Sequence, residues 1–385
     1  MIKKQVIVIG GGASGLMCAL VASLNGVKVT ILEADVKVGK KILASGNGRC
    51  NFTNDNILEN SYNVDISNFL KKFNSADAIN FFEQLGLVSY ADSEGRRYPK
   101  SNLSSSVLDV MVNALNNNYV EIITQTKANQ IIKGDSGYKI ITNNGEYTCE
   151  KVVVCVGGNA LNNMLTNVSV QPFVPSLCAL KTSNKIKELS GIRVPNVKVS
   201  LELNSKTFIE FGEVLFKDNG VGGICVMNLS AFMARNNLNS AKLSINLLPD
   251  LEFNCLINML TKRKQILKNN SIKQFFVGLF HKNLGYEILN RAKVNYNISV
   301  NNLSDNQILE LAKIISDFSL DVVGFYDNNQ VHCGGVNLSD LTSNLESKQN
   351  KNLFVCGEAN NVDGLCGGYN LQWAWTSGYI VGKSL

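Results

Sequence analysis

The sequence predicts an α/β chain. A Rossmann-type nucleotide-binding domain is interrupted in mid-sequence by a β-rich segment and then by a helical one. Three observations carry this. Residues 5–33, QVIVIGGGASGLMCALVASLNGVKVTILE, read as a complete βαβ unit. Residues 352–385 give strand, glycine loop and helix again. Between them, after Pro172 and Pro175, buried strands and amphipathic helices give way to alternating strands.

In the βαβ unit, Gln5–Ile9 is short, apolar and β-branched, as a strand buried on both faces should be. Gly10, Gly12 and Gly15 then supply the G-x-G-x-x-G spacing. The first allows a tight turn, the second lets backbone approach a pyrophosphate, and the third lets helix pack closely on strand. Ala13–Leu24 is helical in pattern and stops at Asn25-Gly26. Val27–Leu32 is the second buried strand. Glu33 closes it, where a carboxylate can hold the hydroxyls of an adenosine ribose. That charge favours FAD or NAD over NADP and does not separate the first two.

Residues 39–54, GKKILASGNGRCNFTN, form a glycine- and asparagine-rich loop carrying Lys40, Lys41 and Arg49. Such a loop suits phosphates through backbone N–H groups and cations, or is simply exposed. Residues 66–86 predict one amphipathic helix ending at Gly86, and Gly95–Leu115 a turn around Pro99 followed by a helix. Tyr119–Ile123, Ala128–Lys133, Tyr138–Thr142 and Tyr147–Cys149 predict a meander leading into the strand Lys151–Val156, which ends in Gly157-Gly158. The expected division is a first part over 1–171, a β-rich insert over 172–249, a helical insert over 250–320, and a return over 321–385. The nucleotide domain resumes from about residue 334. There, Asn352–Cys356 is a buried strand, and the loop from Gly357-Glu358 to Asn370 runs into the helix Leu371–Leu385. A helix N-terminus behind glycines binds anions and polar edges.

Composition narrows the class. The chain has 385 residues, 45% hydrophobic and 18% charged, which fits a globular enzyme and not general disorder. The net charge of +6 is spread along the sequence, so no nucleic-acid partner is expected. No apolar run reaches a membrane-spanning length, and a cytoplasmic protein is expected. Ten cysteines form no C-x-x-C pair, which argues against a disulfide framework or zinc. Two histidines leave little for a histidine-rich metal site or a Ser-His-Asp hydrolase.

The chain resembles the BaiN-like, or aminoacetone-oxidase-like, NAD(P)/FAD-dependent flavoproteins of the glutathione-reductase-like superfamily. The motifs are GGGASGLMCAL at 10–20, GKKILASGNGRCNFTN at 39–54, GRRYPKS at 95–101 and VVVCVGG at 152–158. GEVLFKDNG at 212–220, GGV at 334–336 and GEANNVDGLCGGYNLQWAWTSG at 357–378 complete them. The resemblance implies FAD, with a β-barrel-like domain and a small helical subdomain inserted. It places Gly10, Gly12, Ala13, Ser14 and Gly15 at the pyrophosphate, and Glu33 with Ala34 at the ribose. Lys40, Lys41 and the run Ser45, Gly46, Asn47, Gly48, Arg49, Cys50, Asn51 lie along the cofactor. Ala128 holds the adenine through its backbone, and Val156, Gly157 and Gly158 end the strand that passes it. Gly357 and Glu358 lie near the ribityl chain. Asp363, Gly364, Gly367, Gly368, Tyr369, Asn370 and Leu371 face the flavin. The chain departs from the family at Val221-Gly222-Gly223-Ile224, at Asn361 and at His332, where Ser-Gly-Pro, aspartate and threonine are usual.

The expected activity is hydride transfer through FAD with NADH or NADPH as donor, reducing a C=C bond of a small-molecule substrate. An amine oxidase, an RNA-modifying flavoprotein and a non-catalytic regulator are the alternatives. His332, Tyr369 and Tyr98 are the candidates for proton transfer.

Overall fold

The structure, a computed structural model, describes residues 2–57, 59–161, 164–165, 168–184, 186–204, 206–327 and 331–385. Two compact units emerge: Met1–Pro175 with Gln330–Leu385, and Ser176–Asn329.

The first unit is built on one sheet. Its strands are β1 (Ile2–Ile9), β2 (Val29–Leu32), β3 (Glu121–Ile123), β4 (Ala128–Gly134), β5 (Gly137–Thr142), β6 (Gly145–Val154) and β7 (Leu353–Val355). They lie in the order β3-β2-β1-β6-β5-β4, and β7 also pairs with β6. β1 runs parallel to β2 and β6, and β7 parallel to β6, so their carboxyl ends share one edge. Two helices matter most for the site: α1 (Ala13–Leu24) and α2 (Tyr369–Ser384). They cross closely because α2 presents glycines. A Cβ on Gly378 would lie 2.5 Å from the Ser14 carbonyl, and one on Gly382 would lie 2.7 Å from that of Cys18. Trp373 and Trp375 of α2 are fully buried.

Three expectations need correction. The meander does not form as a unit: β3 leaves for the opposite edge and pairs parallel with β2. Tyr147–Cys149 and the strand expected over Lys151–Val156 belong to one strand, β6, which ends at Val154. Its first half alternates in the hairpin with β5, and its second half is buried between β1 and β7. Glu150 and Lys151 mark that change of environment, and in sequence they look like a break. The single helix over 66–86 is two, Ser67–Leu70 and Ser75–Gln84. Asn74 restarts the helix: its side chain accepts from the Ala76 and Asp77 N–H groups, while Asp77 accepts from the Asn74 N–H.

The second unit is a closed antiparallel barrel of Leu180–Thr182, Gly220–Gly222, Lys206–Lys217, Arg193–Leu203, Ala241–Asn246 and Phe318–Phe325. Helices Ile224–Arg235, Phe253–Ile266, Lys282–Arg291 and Asp305–Ser316 share its core, with Phe216, Leu243, Leu260 and Ile308 all buried together. No helix of the described residues is long and apolar enough to cross a membrane.

Candidate active site and cofactor cradle

Two glycine turns stand side by side at the carboxyl edge of the sheet, where open parallel sheets bind ligands. After β1, Gly10 takes φ +104°, and a Cβ there would meet the Cys155 carbonyl at 2.7 Å. Gly15 is tighter still, its Cβ position only 2.0 Å from the Gly10 carbonyl. Gly12, the cap of α1, faces open space, with nothing within 4 Å of its Cβ position. Backbone N–H groups at the start of α1 thus have an unobstructed approach, the shape a pyrophosphate requires. Ser14 is buried beside Gly357, which ties the fingerprint to the C-terminal loop.

Glu33 is fixed at the end of β2. Its carboxylate accepts from the Gly11 N–H at 2.6 Å and the Asp35 N–H at 2.8 Å. The chain leading to Ala128 runs alongside, since Thr126 N–H donates to the Glu33 carbonyl. Ala34 is exposed at this end, and Ala128 is buried. Lys40 turns outward to Asp35 at 3.5 Å, away from its neighbour Lys41.

The second turn, after β6, encloses charge. Lys41 pairs with one oxygen of Glu358. The other oxygen accepts from the His332 backbone N–H and contacts His332 Nδ1, both at 2.9 Å. A Cβ on Gly157 would lie 2.6 Å from Glu358 and 3.0 Å from Lys41 Nζ, and one on Gly158 2.7 Å from the His332 ring. Both glycines therefore make room for this chain, with Val156 half-buried beside them. Burial alone would raise the Glu358 carboxyl. The His332 hydrogen bond and the Lys41 charge outweigh it and hold the group below the usual carboxylate range. An ionised Glu358 can only accept, so the contact at 2.9 Å has His332 Nδ1–H donating and fixes the ring's orientation.

The loop Ser45–Asn51 forms a second rim. Gly46, Asn47 and Gly48 all adopt left-handed backbone, and Asn47, Gly48 and Arg49 are exposed. Ser45 Oγ donates to the Ile42 carbonyl, so its hydroxyl serves the local turn. Burial pushes the Cys50 thiol up to about 12, which makes it an inert filler. Asn51 packs against Gly46. Tyr98 is buried under the Arg49 guanidinium, 4.6 Å from the ring centroid, so its ring lies behind the rim.

The C-terminal loop closes on itself. Asn370 accepts from the Gly364 N–H and donates to the Gly364 carbonyl, each at 2.9 Å, so its amide holds the turn. The Asp363 N–H donates to Asn63. Gly367 and Gly368 take left-handed backbone before α2, and Asn54 Nδ2 donates to the Gly367 carbonyl at 2.9 Å. Tyr369 packs edge-on to Tyr62, whose hydroxyl donates to the Tyr369 carbonyl, and Leu371 is half-buried against the core. His332, Tyr98 and Tyr369 thus sit in three separate clusters, and only His332 is joined to a charged pair. Sequence reasoning missed Gly11, Asn54 and Gln372, whose Oε1 accepts from Thr53 Oγ1 at 2.6 Å. Each acts through partners far away in sequence.

Residues 4–384 match the HI0933-like protein Rossmann domain family. The chain belongs to that family. Over 99% of its length it is 30% identical to a 3-dehydro-bile acid delta(4,6)-reductase of Clostridium scindens, covering 98% of that protein. It is 26% identical over its whole length to a ribosomal RNA dihydrouridine synthase of Escherichia coli, again covering 98%. Among solved structures, a 3-ketosteroid-delta4-(5alpha)-dehydrogenase from Rhodococcus jostii superposes with a TM-score of 0.49 at 12% identity, over all of this chain and 96% of that one. The HI0933-like chain is an FAD-dependent oxidoreductase, and the open cradle at Gly12 with the pinned Glu33 fits that cofactor's pyrophosphate and ribose.

Proposed function

We propose that the protein reduces a carbon–carbon double bond conjugated to a carbonyl, with NADH or NADPH as the electron donor, in the cytoplasm. The observation that carries this is the end-to-end likeness to relatives named for such reductions. A Δ4 alkene beside a 3-oxo group and the C5=C6 bond of uracil are both polarised by a neighbouring carbonyl. Bound FAD supplies the hydride chemistry. The chain's residues supply the rest. Gly10–Gly15 and the α1 N-terminus bind the cofactor's phosphates, and Glu33 holds the ribose. Lys41 balances the charge of Glu358. Glu358 orients the His332 ring, the candidate donor of the proton that the second alkene carbon requires.

Anaerobic stopped-flow absorbance tests this. NADH or NADPH should bleach the bound flavin, and 2-cyclohexenone or a 3-oxo-Δ4 steroid should restore it faster than dioxygen does. Bleaching by small amines with release of hydrogen peroxide would establish the oxidase instead. A second reading, with the alkene in a uracil of RNA, is favoured by the two relatives named ribosomal RNA dihydrouridine synthase. Its signature is reoxidation of the reduced flavin by a uridine-containing RNA.

A further inference from the structure

A stacked pair of tyrosines flanked by two cations lies on the small sheet Thr53–Asn54, Arg96–Pro99, Ser89–Ala91. Arg49 covers Tyr98, Tyr98 stacks on Tyr90 with centroids 5.9 Å apart and planes at 30°, and Lys100 Nζ stands 5.6 Å above Tyr90. The group is unusual in its charge. Neighbouring Arg96 and Arg97 are neutralised by Asp92, Glu94 and Asp55. Arg49 and Lys100 are exposed, and among the described residues neither pairs with a carboxylate. The sheet thus spends its acids on two cations and leaves two others to the tyrosine faces. Tyr90 is held upright by its hydroxyl, which donates to Asn102 at 2.6 Å, and its ring is half-exposed. At the Arg49 end, the exposed backbone of Asn47 and Gly48 adds N–H groups in left-handed conformation.

Fixed aromatic faces with unneutralised cations above them match single-stranded nucleic acid. A base that displaces the flexible Lys100 side chain stacks on Tyr90, phosphates meet Lys100 and Arg49, and the buried Tyr98 backs Tyr90 from beneath Arg49. We propose that the surface of Arg49, Tyr90 and Lys100 docks an unpaired RNA segment. This inference rests on the RNA reading of the function. It also reverses the expectation, drawn from the even spread of charge along the sequence, that no nucleic acid binds. Folding gathers cations that the sequence disperses.

The test uses the FAD-loaded protein and a fluorescein-labelled RNA hairpin with a uridine-rich loop, read by anisotropy at physiological salt. Lys100→Glu should weaken binding about tenfold and lower the salt slope by about one. Tyr90→Ala should weaken it about tenfold through lost stacking, and Tyr90→Phe should retain it. Flavin content and bleaching by NADH or NADPH should stay at wild-type values in all three. Wild-type affinity in both Lys100→Glu and Tyr90→Ala overturns the dock, as does failure of the wild-type protein to bind the hairpin. The two readings separate cleanly. Binding that is lost in the variants, without reoxidation of wild-type flavin by RNA, upholds the dock and removes RNA as the reduced substrate. Reoxidation by RNA at wild-type rates in both variants upholds the substrate and removes the dock.

Discussion

The turns at Gly10–Gly15 and Gly157-Gly158 end neighbouring parallel strands, and in sequence they look alike. Their glycines answer different neighbours. In the first turn, Gly10 and Gly15 avoid backbone carbonyls, while Gly12 has nothing near it and faces outward. In the second, both glycines avoid side chains: Glu358 and Lys41 at Gly157, and the His332 ring at Gly158. One turn leaves its space open, as a pyrophosphate would require. The other reserves it for a charge chain of the protein's own. A pair of glycines after a buried strand therefore does not by itself identify a ligand contact.

The strongest way to break this contrast is Gly15→Ala. Its Cβ would meet an immovable carbonyl at 2.0 Å, so destabilisation should exceed about 3 kcal/mol, read as loss of soluble protein or a collapsed Tm. Gly12→Val should behave oppositely. The cofactor-free protein should keep its Tm, while FAD affinity falls by ~100-fold as about two hydrogen bonds to phosphate are lost at ~1.5 kcal/mol each, read by fluorescence titration. A cofactor-free Gly12→Val protein that unfolds would place that glycine in the packing and erase the difference. Gly157→Ala sits between them. The atoms it meets are the ends of flexible side chains, so the pair can part at about 1 kcal/mol, measured by chemical denaturation.

Glu358→Gln gives the smallest effect and a pH signature. The native carboxyl is held below its ordinary value, so its stabilising contribution is present above the unfolded value of about 4.3. It is lost as pH falls through the native value. The stability gap between wild type and variant should be constant near neutrality and close progressively below about pH 4.3. A gap independent of pH would mean that Lys41 and His332 do not hold the charge.

Local patterns made much of this legible. The βαβ order, the place of Glu33 at the end of β2 and the C-terminal strand–loop–helix all follow from residues adjacent in the chain, where period and glycine spacing act directly. Misreadings occurred where environment changes within an element. β6 passes from a hairpin into the sheet centre, and one capping asparagine, Asn74, divides a continuous amphipathic pattern. Within the candidate site, the fingerprint was readable because its spacing encodes its geometry. The structural part of Asn370, whose amide closes the turn at Gly364, could not be read from its place before a helix.

The sequence by itself determined that a dinucleotide-binding unit opens the chain and that glycine loops recur near its end. Those features depend on conformations that particular residue types alone permit. Only the tertiary structure decided that Lys41, His332 and Glu358 form one chain, because that requires three segments to converge where β6 and β7 end. It also decided that Arg49 and Lys100 stand over stacked tyrosines with no carboxylate beside them among the described residues. Charge neutralisation depends on distance in space, and a sequence records only distance along the chain.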